Sequence, residues 1–400
     1  MSKQVLSHVK VLDLTHHLSG PFCSKFLAAF GAEVIKVERP GEGDVSRRIG
    51  PFPNDEPHPE KSALFLFLNT GKKSITLDIH SPTGVEIVKK LVKEVDVLVE
   101  NFQPGVLSQL GLDYETLDKI NPRLIMASIT NFGQSGPYRD YKANSMVEYA
   151  LSGHMYITGF PHKEPLTCLE YQPEYQGGLH AFDGILGSLY WREESGQGQY
   201  IDVSIQECLA GQHEYTLANY AYRGVIQERL GNRVDIDHPI TLYPCKDGWV
   251  SMSGRMSLNQ EPVFLMVDRL DLMEDPRFQT ARSRVEHAEE LDAELMPWFL
   301  EHTKEEVFQL AQELRVLGGM VLRIEELLQN PHYKAREFWQ EIEHPEVGKV
   351  IYPGGPFRME ATPWQTTRAP FLGEHNQEIY CGWLGYSKED LVRLRGAWVI

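Results

Sequence analysis

Cations standing in loops are the first chemistry this sequence offers. Arg39 directly follows the β-prone run Val34-Ile35-Lys36-Val37-Glu38 and precedes Pro40-Gly41. That is the carboxyl end of a strand, where doubly wound α/β folds hold their ligands. Lys72 and Lys73 follow the turn glycine Gly71, and Arg47, Arg48 and Lys142 also stand in loop-like stretches. Guanidinium and ammonium groups suit a phosphate or carboxylate ligand. Each of them read alone is an ordinary solvated surface cation. The chain as a whole is acidic, with 39 Lys and Arg against 56 Asp and Glu and a formal charge of −17. Such a balance argues against nucleic acid as a partner. A local basic groove can still override the net field and hold a small anion. Metal and disulfide chemistry have little footing. Cys23, Cys168, Cys208, Cys245 and Cys381 are scattered, odd in number and form no C-x-x-C pair. No His, Cys or carboxylate cluster has metal-ligand spacing. We therefore expect no metal and reduced thiols in a cytoplasmic setting. His154, in Ser152-Gly153-His154-Met155, reads as a loop histidine with no base role.

The elements that must position these groups alternate. The 400 residues suggest two or three units. Hydrophobic residues at 42 % and charged residues at 24 % are ordinary for a soluble globular protein. No run approaches the ~18 apolar residues of a membrane span, and residues 1–10 lack a secretory signal. The 33 Gly and 24 Pro are spread along the chain, unlike a low-complexity sequence. Strand-like runs at 9–14, 34–38, 74–78, 97–100 and 124–129 are separated by helical patterns at 22–31 and 83–95. The second helix opens with Pro82 at the favoured first turn, and Gly31 closes the first as a C-cap glycine. A further helix is predicted over 182–192, a strand over 199–204 and a helix to about residue 222. Strands alternating with amphipathic helices predict an α/β fold with a parallel sheet covered on both faces. We expect a Rossmann-like large domain over 1–205 and 330–400. A smaller α/β domain is expected over 225–325, with linkers at 206–224 and 326–345. Within the smaller domain a strand is predicted over 249–252, with helices over 260–270, 287–300 and 304–314. The Pro-rich, aromatic tail over 331–400 reads as a segment that wraps other surfaces.

Six stretches in order carry a resemblance. They are VKVLDLTHHLSGPFCSKFLAAFGAEVIKVERPGEGD at 9–44, LNTGKKSITLD at 68–78, DVLVENFQPG at 96–105, NPRLI at 121–125, GQSGPY at 133–138 and SGQGQYIDVS at 195–204. Together the sequence resembles the class III coenzyme A transferases, the family of formyl-CoA transferase and carnitine CoA-transferase. The resemblance implies transfer of coenzyme A from an acyl-CoA to a free carboxylic acid, with the thioester as substrate and no separate cofactor. It implies that Arg39, Asn101 and Lys142 contact coenzyme A, whose phosphates need cations and backbone donors; Lys72 and Lys73 join them as expected contacts. It also implies an interlocked dimer, either of identical chains or with a paralogous subunit.

The family's nucleophile is an aspartate four residues before the glycine of a G-x-H helix start. With Gly178-Leu179-His180 in that place, the position holds Glu174, one methylene longer. A slipped register would put Glu170 or Asp183 there instead. Two departures stand beside it. Leu18 occupies a position where relatives often carry glutamine, and Gln109 stands where formyl-CoA transferase has an arginine. Two other readings are therefore carried: a non-catalytic subunit paired with an active paralogue, and an acyl-CoA racemase or isomerase. The racemase branch pairs a histidine with an aspartate, and Glu174 replaces that aspartate beside His154. Residues 251–255 fall where relatives carry a mobile glycine loop, here with Gly254 alone.

Overall fold

The computed structural model describes residues 4–169, 171–254 and 261–400. Glu170, Arg255 and Gln260 lie outside the described residues. The chain forms two compact units: residues up to His154 with Cys168–Glu214 and Lys334–Ile400, and Met155–Thr167 with Tyr215–Tyr333.

The first unit is built on six parallel strands: β1 (Lys10–Asp13), β2 (Glu33–Glu38), β3 (Lys73–Thr76), β4 (Val97–Glu100), β5 (Ile125–Thr130) and β6 (Tyr200–Ser204). Their order is β3-β2-β1-β4-β5-β6. β4 and β5 are buried along their whole length, the pattern of strands covered on both faces. Alternate side chains serve opposite cores, because successive Cβ atoms point to opposite faces. Leu12, Ile35, Ile75, Leu98 and Met126 pack under α2 (Pro82–Val92) and the C-terminal Tyr380, Val399 and Ile400. Val11, Val34, Val97, Val99, Ile125 and Ala127 pack under α1 (Ser19–Ala29) and α3 (Gln172–Ser195). The strand order reverses between β1 and β4. The connections leaving those two strands diverge and open a crevice at their carboxyl ends.

α3 is the largest difference from the expected elements. It begins ten residues before the predicted 182–192 and runs through Gly177-Gly178. An added Cβ on Gly178 would stand 2.4 Å from the Ser19 carbonyl oxygen, and one on Gly177 would stand 2.7 Å from Ile205 Cγ1. Gly177 and Gly178 are where α3 meets its neighbours at close range. Interior glycines weaken a helix by about 1 kcal/mol each. Burial of Ala181, Phe182, Ile185 and Leu189 offsets that cost. Pro173 sits in the first turn, and Gly196 ends the helix at φ 72°. Residues 205–223 form two helices, Ile205–Ala210 and Glu214–Arg223.

The tail closes the exposed edge of the sheet. Thr76 N donates to Asn376 Oδ1 at 2.9 Å, Asn376 Nδ2 donates to Thr76 Oγ1 at 2.8 Å, and the Tyr380 hydroxyl donates to Thr76 O at 2.7 Å. These bonds satisfy the outer strand, which would otherwise invite pairing with another chain. The second unit holds an antiparallel sheet of β7 (Ile240–Cys245), β8 (Gly248–Ser253) and β9 (Leu317–Met320) in that order. Helices Ala288–Glu301 and Lys304–Glu313 bury Leu291, Leu295, Phe299 and Val307 against it. β9 carries the glycines Gly318 and Gly319, and no strand is predicted there.

Candidate active site

A cleft of about 780 Å³ lies at the reversal between β1 and β4. Its walls come from the loop after β1 (His16, His17, Ser19), the loop after β2 (Arg39, Arg48), the loop after β4 (Asn101 to Pro104) and the segment after β5 (Asn131, Arg139, Lys142). Glu174, in the first turn of α3, closes it. Among the described residues four cations face the cleft and Glu174 is its one carboxylate.

A buried ionic layer holds these loops. Lys36 projects from β2 with no exposure, pairs with Asp44 at 2.7 Å and donates to Thr15 O at 2.9 Å. Asp44 also accepts from His17 N at 3.1 Å, Ser46 N at 2.8 Å and Ser46 Oγ at 2.7 Å. Burial alone would raise the Asp44 carboxyl, yet the Lys36 charge holds it down at about 2. His17 adopts φ 67°, a left-handed conformation that a non-glycine residue keeps only where its surroundings fix it. Burial, then the Lys36 charge, lowers the His16 imidazole below its ordinary value, so His16 favours its neutral form. Asn101 bonds His16 as a strand would: its Oδ1 accepts from His16 N and its Nδ2 donates to His16 O, both at 2.8 Å. The asparagine expected on coenzyme A thus also fixes the shape of the β1 loop.

Glu174 is held by a hydroxyl. Ser145 Oγ lies 2.7 Å and 2.9 Å from the two Glu174 carboxylate oxygens. Ser145 opens the helix Ser145–Leu151, whose N-cap Asn144 accepts from Val147 N. The same helix carries Glu148, 1 % exposed, whose carboxyl is pushed up to about 8 by burial and then by the Glu174 charge.

The structure brings Arg39, Asn101, Lys142 and Glu174 together on one cleft. Lys72 and Lys73 do not line it, and this corrects the sequence-based expectation for both. Lys72 Nζ is buried under the sheet's carboxyl ends, bonded to Asp13 Oδ2 at 3.0 Å, Pro21 O at 2.9 Å and Asn69 Oδ1 at 2.9 Å. Its three donors are used. Lys73 pairs with Glu33 and Glu378, both at 2.5 Å. Arg47 is likewise internal, forked onto Glu38. Asp183 is exposed and lies off the cleft. Leu18 is fully buried and Gln109 is exposed; neither lines the cleft. Arg139 is a cleft cation that sequence reading missed. Its guanidinium reaches to 3.5 Å from where a Cβ on Gly105 would sit, beside the turn that precedes Gln109. Ser145 was also missed, since a lone serine carries no pattern. His154 stays off the cleft, its Nε2 3.0 Å from Leu209 O and its ring stacked on His213. Among the described residues no group of three His, Cys, Asp or Glu could hold a metal, and no helix is long and apolar enough to cross a membrane.

The sheet, the crevice at its reversal and a carboxylate facing four cations define an α/β protein with a cleft whose charge suits an anionic ligand. CoA-transferase family III matches residues 6–376, and the chain belongs to that family. It is 36 % identical over 397 residues to the succinyl-CoA–D-citramalate CoA-transferase of Chloroflexus aurantiacus, covering 99 % of this chain and 98 % of the relative. It is 34 % identical over 417 residues to a formyl-CoA:oxalate CoA-transferase of Rhodopseudomonas palustris, covering 98 % and 96 %. A CAIB/BAIF family protein from Brucella suis has a crystal structure that superposes with a TM-score of 0.85 at 31 % identity, covering 95 % of this chain and 99 % of that one.

Proposed function

We propose that this chain transfers coenzyme A from an acyl-CoA thioester to a free carboxylic acid, with Glu174 as the nucleophile. The observation that carries the reading is Glu174 itself, oriented by Ser145 on a cleft that also presents Arg39, Arg48, Arg139 and Lys142. The cations suit the phosphates of coenzyme A. The carboxylate suits acyl exchange, because each acyl group it accepts stays activated. Glu174 attacks the thioester carbonyl, forming a mixed anhydride and releasing the coenzyme A thiolate. The thiolate attacks the glutamyl carbonyl, expelling the first acid as its carboxylate and leaving a glutamyl-CoA thioester. The acceptor carboxylate attacks that thioester, forming a second anhydride and releasing the thiolate again. The thiolate then takes the new acyl group, and Glu174 returns as a carboxylate. The strand order supports the Rossmann-like description of the large unit. Family membership supports an interlocked dimer, of identical chains or with a paralogue, and a cytoplasmic setting.

Two measurements test the reading. Intact-mass spectrometry after incubation with succinyl-CoA, and in parallel formyl-CoA, is expected to show a covalent adduct that maps to Glu174. Glu174→Gln is expected to abolish exchange with coenzyme A binding retained, since an amide forms no anhydride. Unchanged exchange in Glu174→Gln overturns the assignment. A wild-type chain that binds coenzyme A but shows neither adduct nor exchange is a silent subunit instead.

A further inference from the structure

Behind Glu174 lies a second carboxyl that the proposed reaction does not use. Glu148 follows Ser145 by three residues on the helix Ser145–Leu151, so both side chains stand on one face of it. Ser145 sends its hydroxyl to Glu174. Glu148 is 1 % exposed, and its Oε2 has no hydrogen-bond partner. Among the described residues no arginine, lysine or histidine pairs with it. Among the described residues the titratable groups that interact with it are Glu174 from α3 and Cys208 from the helix Ile205–Ala210. Farther along, His213 bonds the Ser152 carbonyl and stacks on His154. A buried carboxyl with no cation beside it and a carboxylate next to it keeps its proton.

We propose that Glu148 is a positioning residue for the transfer reaction, a neutral carboxyl behind Glu174 that keeps the pair at a single negative charge. This inference rests on Glu174 being the nucleophile. With Glu148 neutral, Glu174 stays on the Ser145 hydroxyl, and the negative charge that grows on the thioester oxygen meets no buried anion behind it. With Glu148 ionised, two like charges share one site. The second charge drives Glu174 off Ser145 and opposes the developing oxyanion. Exchange therefore falls on the alkaline side. The coupling is mutual: the Glu174 charge raises Glu148, so removing that charge lets Glu148 ionise at lower pH.

The test uses the full chain, with succinyl-CoA and D-citramalate as the assayed pair. The wild-type kcat is expected to fall about tenfold per pH unit above the Glu148 transition. Glu148→Gln keeps the shape without the proton and is expected to lose that alkaline limb. Infrared difference spectra, wild type minus Glu148→Gln, follow the protonated carboxyl independently of turnover. That band is expected to disappear at lower pH when both proteins also carry Glu174→Gln. An alkaline limb unchanged in Glu148→Gln overturns the proposal, as does a carboxyl transition that ignores the Glu174 charge. Should Glu148→Gln fail to fold, Glu148 labelled through carboxyl-13C glutamate supplies the titration in the wild type, and a carboxylate already ionised at pH 6 overturns the proposal. Failure of the parent reading is read elsewhere, as exchange that survives Glu174→Gln.

Discussion

Replacing Lys36 by methionine probes how the cleft is held. The side chain has no exposure and neither does its partner Asp44, 2.7 Å away. Methionine keeps most of the stem and removes the charge. Asp44 retains three donors, His17 N, Ser46 N and Ser46 Oγ, but no ammonium. Breaking one side of a buried pair costs about 3–5 kcal/mol, because the remaining ion is uncompensated. The double variant Lys36→Met/Asp44→Asn removes that uncompensated charge and is expected to recover at least half of the loss. A pH series gives a second signature. In the wild type the Asp44 carboxyl is held at about 2 against an ordinary 3.8, so its contribution is present above the ordinary value and fades as pH falls through about 2. At ~1.4 kcal/mol per tenfold, this contribution is about 2–3 kcal/mol in full. In Lys36→Met, burial dominates and raises Asp44, so acid relieves the variant. The gap between the two proteins is expected to narrow by at least about 1 kcal/mol between pH 7 and pH 3. Urea denaturation followed by tryptophan fluorescence reads both effects. Titration calorimetry with coenzyme A reads the cleft, since Lys36 also holds Thr15 O at the base of the β1 loop. A loss under about 1 kcal/mol, or a gap that stays constant across the pH series, refutes the reasoning.

Two further outcomes follow from the same geometry. Gly178→Ala forces a Cβ to within 2.4 Å of the Ser19 carbonyl and should cost about 1–3 kcal/mol by overpacking. Gly187→Ala in the same helix meets nothing within 4 Å and should gain about 0.5–1 kcal/mol; equal denaturation midpoints for the two variants would contradict the close approach of α1 and α3. Arg39→Ala and Arg139→Ala should each weaken coenzyme A binding by about 1.5–3 kcal/mol if they bond its phosphates. Lys73→Ala, off the cleft, should leave the calorimetric affinity unchanged, and the reverse ranking would move the binding site.

The sequence determined the sheet of the first unit almost strand by strand, because strands buried on both faces write themselves as short apolar runs between Gly, Pro and polar punctuation. Val97–Glu100 matches its predicted run residue for residue, and β1, β2, β3, β5 and β6 differ by one or two residues at their ends. Arg39, Asn101 and Lys142 were singled out by ordered motifs, and Glu174 by its spacing to Gly178, and all four line one cleft. What sequence could not decide is which polar groups face inward to one another and which face a ligand. Lys72 and Arg39 are both cations beside strands. The fold turns Lys72 onto Asp13, Pro21 and Asn69 in the interior and leaves Arg39 on the cleft. The start of α3 was hidden for a related reason. Gly177-Gly178 breaks a helix by local propensity, and only the carbonyl of Ser19 across the interface shows that the missing Cβ atoms admit a neighbouring backbone. Ser145, Arg139 and Glu148 reach Glu174 and the cleft from a segment about 25 to 35 residues away with no signature of its own. Their chemistry arises from burial and proximity, which exist only once the chain has folded.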